Sequence, residues 1–133
     1  VLAHPEVIGL LRRIIAPYPL PSPVVDLDLR MLEPEVLERQ QALLSEVAEN
    51  KKSLLQILQD RPFVNQLFPG EANFVLLSTS NAEGLLTFCA QRNVILRGFP
   101  ADPDLKDCIR ISVGEASEIE TLGKVLDEWE SAA

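Results

Sequence analysis

Apolar residues recur at two different spacings along this chain, and the switches between them divide it into elements. From Pro5 to Ile15 the apolar positions are 7, 8, 11, 14 and 15, the stripe of an amphipathic helix. Pro5 is tolerated in its first turn, and His4 reads as a helix-start residue. Ala16 to Pro23, APYPLPSP, carries four prolines, which remove backbone donors and push each preceding residue toward extended shapes, so it reads as an ordered or docked linker. Val24 to Met31 predicts a short helix. Glu33 to Asp60 predicts a long one beginning with Pro34, its apolar residues at 36, 37, 43, 44, 47, 54, 55 and 58. Such a helix would span about 40 Å, which suits either a bridge to another part or an ordinary core helix with a solvated face that includes Lys51 and Lys52.

Beyond Pro62 the period shortens. Val64 to Phe68 and Ala72 to Ser78 flank a Pro69-Gly70 turn signal and predict an antiparallel pair. The unbroken apolar run Phe74 to Leu77 predicts a central strand covered on both faces, and Asn73 could cap its start. Asn81 predicts the N-cap of a helix over Ala82 to Arg92 that buries Leu85, Leu86 and Cys89, and Asn93 suits the left-handed residue that closes it. Two strands follow, Val94 to Arg97 and Cys108 to Val113, separated by a loop rich in Pro, Asp and Gly. A final helix is signalled by Ser117 and Glu120 as a capping box, with Ile119, Leu122, Val125, Leu126 and Trp129 on one stripe. The predicted fold is α/β: a two-layer sandwich of a small mixed sheet with helices on one face, preceded by a long linking helix. The unit from Phe74 to Leu96 is expected to be a right-handed parallel crossover.

Composition narrows the function classes. With 133 residues, 47% of them apolar, the chain can form one domain with a real core. A formal net charge of −8 argues against nucleic acid as a partner, which requires basic patches. No apolar run approaches a membrane span and no signal-peptide pattern is present, which makes the cytoplasm the default. Cys89 and Cys108 lie in apolar contexts and predict buried thiols, and a single histidine gives no support to a metal site. The opening at Val1, without Met and inside what reads as a continuing element, suggests a piece of a longer polypeptide.

The candidate chemistry lies in NVILRGFPADPDLKDCIRISVG, Asn93 to Gly114. Alternation puts Ile109, Ile111 and Val113 on one face and Cys108, Arg110 and Ser112 on the other. Val94 and Leu96 share a face, which leaves Arg97 beside Ile95 on the opposite one. If the two strands lie close, Arg97 and Arg110 converge on one anion, a task for which the planar, permanently charged guanidinium is suited. The plainer alternative is two surface arginines paired with some of the chain's many acids.

Three blocks, IIAPYPLPSP (Ile14 to Pro23), EANFVLL (Glu71 to Leu77) and NVILRGF with CIRISVG (Asn93 to Phe99 and Cys108 to Gly114), resemble in order and spacing the C-terminal part of the histidinol-phosphate aminotransferases. These are pyridoxal-phosphate enzymes of type I aminotransferase fold in histidine biosynthesis. The resemblance implies that residues 1–32 belong to an upstream large domain and 33–133 form the small C-terminal domain. It implies that Arg110 and Arg97 bind the substrate phosphate or carboxylate, with Asn73 near the same pocket, and that Tyr18, otherwise a ring packed under the prolines, lies near a partner subunit's site. The expected substrates are histidinol phosphate and glutamate, and the expected assembly of the parent is a homodimer. The Schiff-base lysine, the acid facing the pyridine nitrogen and the cofactor phosphate donors are expected upstream of Val1, so no catalytic residue is assigned here and the piece alone is expected to be inactive. The alternatives are a related aminotransferase, a decarboxylase of phosphorylated amino acids with the same fold, or a free-standing small-ligand or regulatory module.

Overall fold

The computed structural model describes residues 2–16 and 19–132. Tyr18 lies outside the described residues, so neither of its readings is addressed. The chain divides into two compact units, Val1–Gln41 and Ala42–Ala133, with the division inside the long helix.

The first unit holds α1 (Pro5–Ile14), α2 (Ser22–Met31) and the start of α3 (Pro34–Leu58). The His4 side chain caps α1 by accepting from the Glu6 N–H at 3.4 Å. Neither α1 nor α2 buries a residue: Leu10, Ile14, Leu27 and Leu29 are each more than half exposed. Of the apolar stripe read from the sequence, Ile8 and Leu11 are half-buried while Val7, Ile14 and Ile15 are exposed.

The second unit holds the rest of α3, then β1 (Gln66–Phe68), β2 (Phe74–Ser78), α4 (Ala82–Ala90), β3 (Arg97–Gly98), β4 (Cys108–Ser112) and α5 (Ala116–Ala132). The four strands form one sheet in the order β1-β2-β4-β3, and every hydrogen-bonded neighbour is antiparallel. This corrects the expectation of a mixed sheet with a simple parallel crossover. β2 and β3 both run antiparallel to β4, so they are parallel to each other, but β4 is inserted between them and splits the β-α-β unit.

One face of the sheet carries Leu67, Val75, Leu77, Ile109 and Ile111, and there the helices pack. Leu54 and Leu58 from α3, Leu85 and Cys89 from α4, and Leu122 and Leu126 from α5 close this core. The opposite face carries Phe68, Phe74, Leu76 and Arg110, none of them fully buried. β2 is thus covered on one face only, against the expectation from its apolar run.

Local sequence accounts for the boundaries. Asn81 Oδ1 accepts from the Gly84 N–H at 3.0 Å, the expected N-cap. α4 ends in a Schellman turn: Asn93 takes φ 62°, its N–H donates to the Ala90 carbonyl, and the Val94 N–H reaches back to the Cys89 carbonyl at 3.0 Å. That last bond ties up Val94, and β3 shrinks to Arg97–Gly98 instead of Val94 to Arg97. Gly70 (φ 53°) turns the chain between β1 and β2, and Lys51 Nζ latches the turn by donating to the carbonyls of Gly70 and Ala72. The capping of α5 lies two residues earlier than the Ser117 and Glu120 expected: Glu118 Oε2 accepts from the Glu115 N–H at 2.9 Å. A carboxylate three residues into the helix can reach back to the N-cap amide whatever the cap's own side chain.

Candidate functional site: an arginine pair at the sheet edge

Register decides the site. Arg97 of β3 stands directly opposite Arg110 of β4, and Leu76 of β2 stands opposite Arg110 on its other side. Residues directly opposite in an antiparallel ladder project to the same face with Cβ atoms about 5 Å apart. Arg97 and Arg110 therefore rise side by side on the face opposite the one that carries Val75, Leu77, Ile109 and Ile111.

Like charges directly opposite destabilise a ladder, and acids elsewhere in the chain neutralise other arginines. Arg61 donates to Asp127 at 2.7 Å and lies 3.2 Å from Glu130. Burial pulls its guanidinium down, but the Asp127 hydrogen bond and the Glu130 carboxylate more than offset this and its pKa is raised. Arg92 donates to Glu128 at 2.6 Å and packs over the Phe88 ring. Among the described residues no carboxylate lies within ion-pair distance of Arg97 or Arg110. Arg97 is exposed, and Arg110 is half-buried with its Nε buried and without a hydrogen-bond partner. Buried polar groups are otherwise almost always satisfied.

Beside the pair the sheet edge opens. β3 covers β4 only at Ile109 and Arg110, so the chain from Asn93 to Arg97, the end of β4 and the first turns of α5 enclose a groove of about 630 Å³. Arg97 and Arg110 line it together with Ser112, Ser117 and Glu118. The arrangement offers two guanidinium forks next to a cavity, which suits an oxyanion carried on a small molecule.

Asn73 is exposed, one residue ahead of β2, and its carbonyl accepts from the Val113 N–H at 2.9 Å. Strand alternation sets it on the opposite side from Phe74, so the register that brings the two arginines together does not bring Asn73 to them. Sequence reasoning missed the groove residues Ser112, Ser117 and Glu118, and two rings near the arginines: Phe74, 5.3 Å from the Arg110 guanidinium carbon, and Phe99, 5.6 Å from that of Arg97. The Phe99 signal was present as Arg97-Gly98-Phe99; the Phe74 contact depends on cross-strand register. Among the described residues no group of three His, Cys, Asp or Glu could hold a metal ion.

The small antiparallel sheet with its split crossover is shared with solved aminotransferases. The histidinol-phosphate aminotransferase of Clostridium acetobutylicum superposes with a TM-score of 0.67 at 19% identity, over 77% of this chain and 31% of that one. A protein of Erwinia carotovora atroseptica assigned as a histidinol-phosphate aminotransferase gives 0.74 at 25% identity, over 98% of this chain and 36% of that one. The fold is thus that of part of a type I aminotransferase. Sequence narrows the kinship. The chain is 38% identical over 119 residues to histidinol-phosphate aminotransferase 2 of Mannheimia succiniciproducens, which is 90% of this chain and 34% of the relative. It is 34% identical over 128 residues to histidinol-phosphate aminotransferase 1 of Haemophilus influenzae, 96% of this chain and 35% of the relative. The chain is therefore a homologue of the histidinol-phosphate aminotransferases and spans about a third of the length of these relatives. No family model matches it.

Proposed function

We propose that this chain is the substrate-binding part of a pyridoxal-phosphate-dependent transaminase acting on histidinol phosphate, with glutamate and 2-oxoglutarate as the amino partner. One observation carries the reading: Arg97 and Arg110 face each other across the β3–β4 ladder, and among the described residues no carboxylate lies within ion-pair distance of either. Two unneutralised guanidinium groups on one sheet face suit a phosphate monoester in one half-reaction and the carboxylates of glutamate in the other. The names of its curated relatives support the choice of substrate.

The described residues do not hold the cofactor by themselves. Pyridoxal phosphate, when bound, would supply the electron sink for the transfer; no lysine lines the groove. Lys51 holds the Gly70 and Ala72 carbonyls, Lys52 pairs with Glu49, Lys124 pairs with Glu120, and Lys106 is exposed in the loop before β4. In this reading the reactive amine belongs to the rest of the parent enzyme, residues 1–32 to a larger domain and residues 33–133 to the small domain. Asn73 is kept as a third substrate contact on the resemblance alone, since it does not share the arginines' face. The parent is read as a cytoplasmic homodimer with no nucleic-acid partner and no membrane association; no helix among the described residues is long and apolar enough to cross a membrane.

The test is a substrate profile of the parent enzyme with glutamate as the common amino partner. Histidinol phosphate is expected to turn over far better than phenylalanine, and Arg97→Ala is expected to raise its KM about tenfold, the loss of one charge-assisted contact. Preference for phenylalanine, or a phosphorylated amino acid that loses CO2 in place of its amino group, would move the parent to another activity of the same fold. One solved neighbour is a decarboxylase of Sulfurospirillum multivorans, with a TM-score of 0.60 at 18% identity.

A further inference from the structure

Each arginine of the pair has an aromatic ring nearby and, among the described residues, no ion-paired acid. The Arg110 guanidinium carbon lies 5.3 Å from the centre of the Phe74 ring and that of Arg97 lies 5.6 Å from the centre of Phe99, both within the roughly 6 Å over which a ring face attracts a cation. Strand geometry produces both contacts. Phe74 pairs with Ser112 and is thus the diagonal cross-strand neighbour of Arg110. Phe99 follows Arg97 by two residues, the spacing that returns a side chain to the same side of an extended segment.

The choice of ring over acid has a chemical consequence. A carboxylate partner occupies in-plane N–H donors, as Glu128 does for Arg92. A ring face attracts the cation while leaving those donors unused. We infer, building on the anion-binding reading above, that Phe74 and Phe99 are positioning residues: they hold the Arg110 and Arg97 guanidinium groups in place with their donor edges free, so that the two forks stand ready before the oxyanion arrives.

The test uses the 133-residue chain, inorganic phosphate as the probe, and NMR of the arginine Nε–Hε groups. In Phe99→Leu the Arg97 Nε–Hε order parameter is expected to fall and phosphate to bind about two- to fivefold more weakly, the size of a partly exposed cation–π contact, with the melting temperature unchanged. Phe99→Tyr, which restores a ring, should recover both. Phe74→Leu should do the same at Arg110; because Phe74 lies on an inner strand of the sheet, the half-buried Phe99 variant carries the test should this one fail to fold. An Arg97 order parameter unaltered in Phe99→Leu overturns the inference, whatever phosphate does. A wild-type chain that binds no phosphate, but whose Arg97 loosens in Phe99→Leu, supports the positioning role and removes the anion reading instead.

Discussion

At the scale of single residues, Arg110 stands out because stability and function pull on it in opposite directions. Its Nε is buried without a partner, and an unmet buried donor costs about 1–3 kcal/mol. Replacing it with an apolar side chain of similar length should therefore leave the fold intact. Arg110→Met is expected to unfold at the same temperature or higher while binding phosphate about tenfold more weakly, read by thermal melting and by titration; a large fall in melting temperature would make Arg110 a structural residue. Arg61 should behave in the reverse way. It ties the end of α3 to α5 through the Ile57 carbonyl and Asp127, both at 2.7 Å, so Arg61→Met should cost about 1.5–3 kcal/mol of stability and leave phosphate affinity unchanged. Burial pushes the Cys89 thiol up to about 11, only partly offset by the charge of Arg92. The folded chain then keeps a proton that the unfolded chain loses near pH 9, so stability should fall as pH rises from about 9 to 11, at up to about 1.4 kcal/mol per pH unit. Denaturation midpoints across that range, with Cys89→Ala as the flat control, check the sign.

At the scale of elements, the sequence is most informative where one residue's chemistry decides a boundary. Asn81 and Asn93 are legible as the two ends of α4 because a short amide side chain both caps an N-terminus and tolerates positive φ. Asn93→Gly should hold or raise stability at φ 62°, whereas Asn93→Val should lower it by about 1–2 kcal/mol; equal melting temperatures would mean that the helix end is not held in this turn. Legibility ends where pairing, not local propensity, makes the element. Val94, Ile95 and Leu96 look like a strand, yet Val94 finishes the helix, and Val94 and Leu96 pack toward the core, leaving Ile95 80% exposed. The place of β4 between β2 and β3 is likewise a matter of long-range pairing, which short-range alternation does not encode. The two-faced apolar run of β2 is the instructive miss. Only Val75 and Leu77 of this strand are buried, while Phe74 and Leu76 are half-buried on the other face.

At the scale of the whole molecule, the uncovered features are of one kind. Leu10, Ile14, Leu27 and Leu29 in the first unit, and Phe68 in the second, are exposed apolar side chains, and Leu76 is half-buried. The chain spans about a third of the length of its curated relatives. The candidate site was partly legible for the same reason as the fold: alternation places Arg97 and Arg110 on definable faces, while only the register sets them directly opposite each other. Under the proposed function this opposed pair, free of ion-paired acids among the described residues, recognises a phosphate ester. Calorimetric titration of the chain with histidinol phosphate, and with histidinol as the partner lacking phosphate, tests it most directly. The account predicts binding of the phosphate ester alone, weakened about tenfold by Arg97→Ala or Arg110→Met and weakened by added salt. Equal binding of the two compounds, or affinity that survives loss of both arginines, would contradict it.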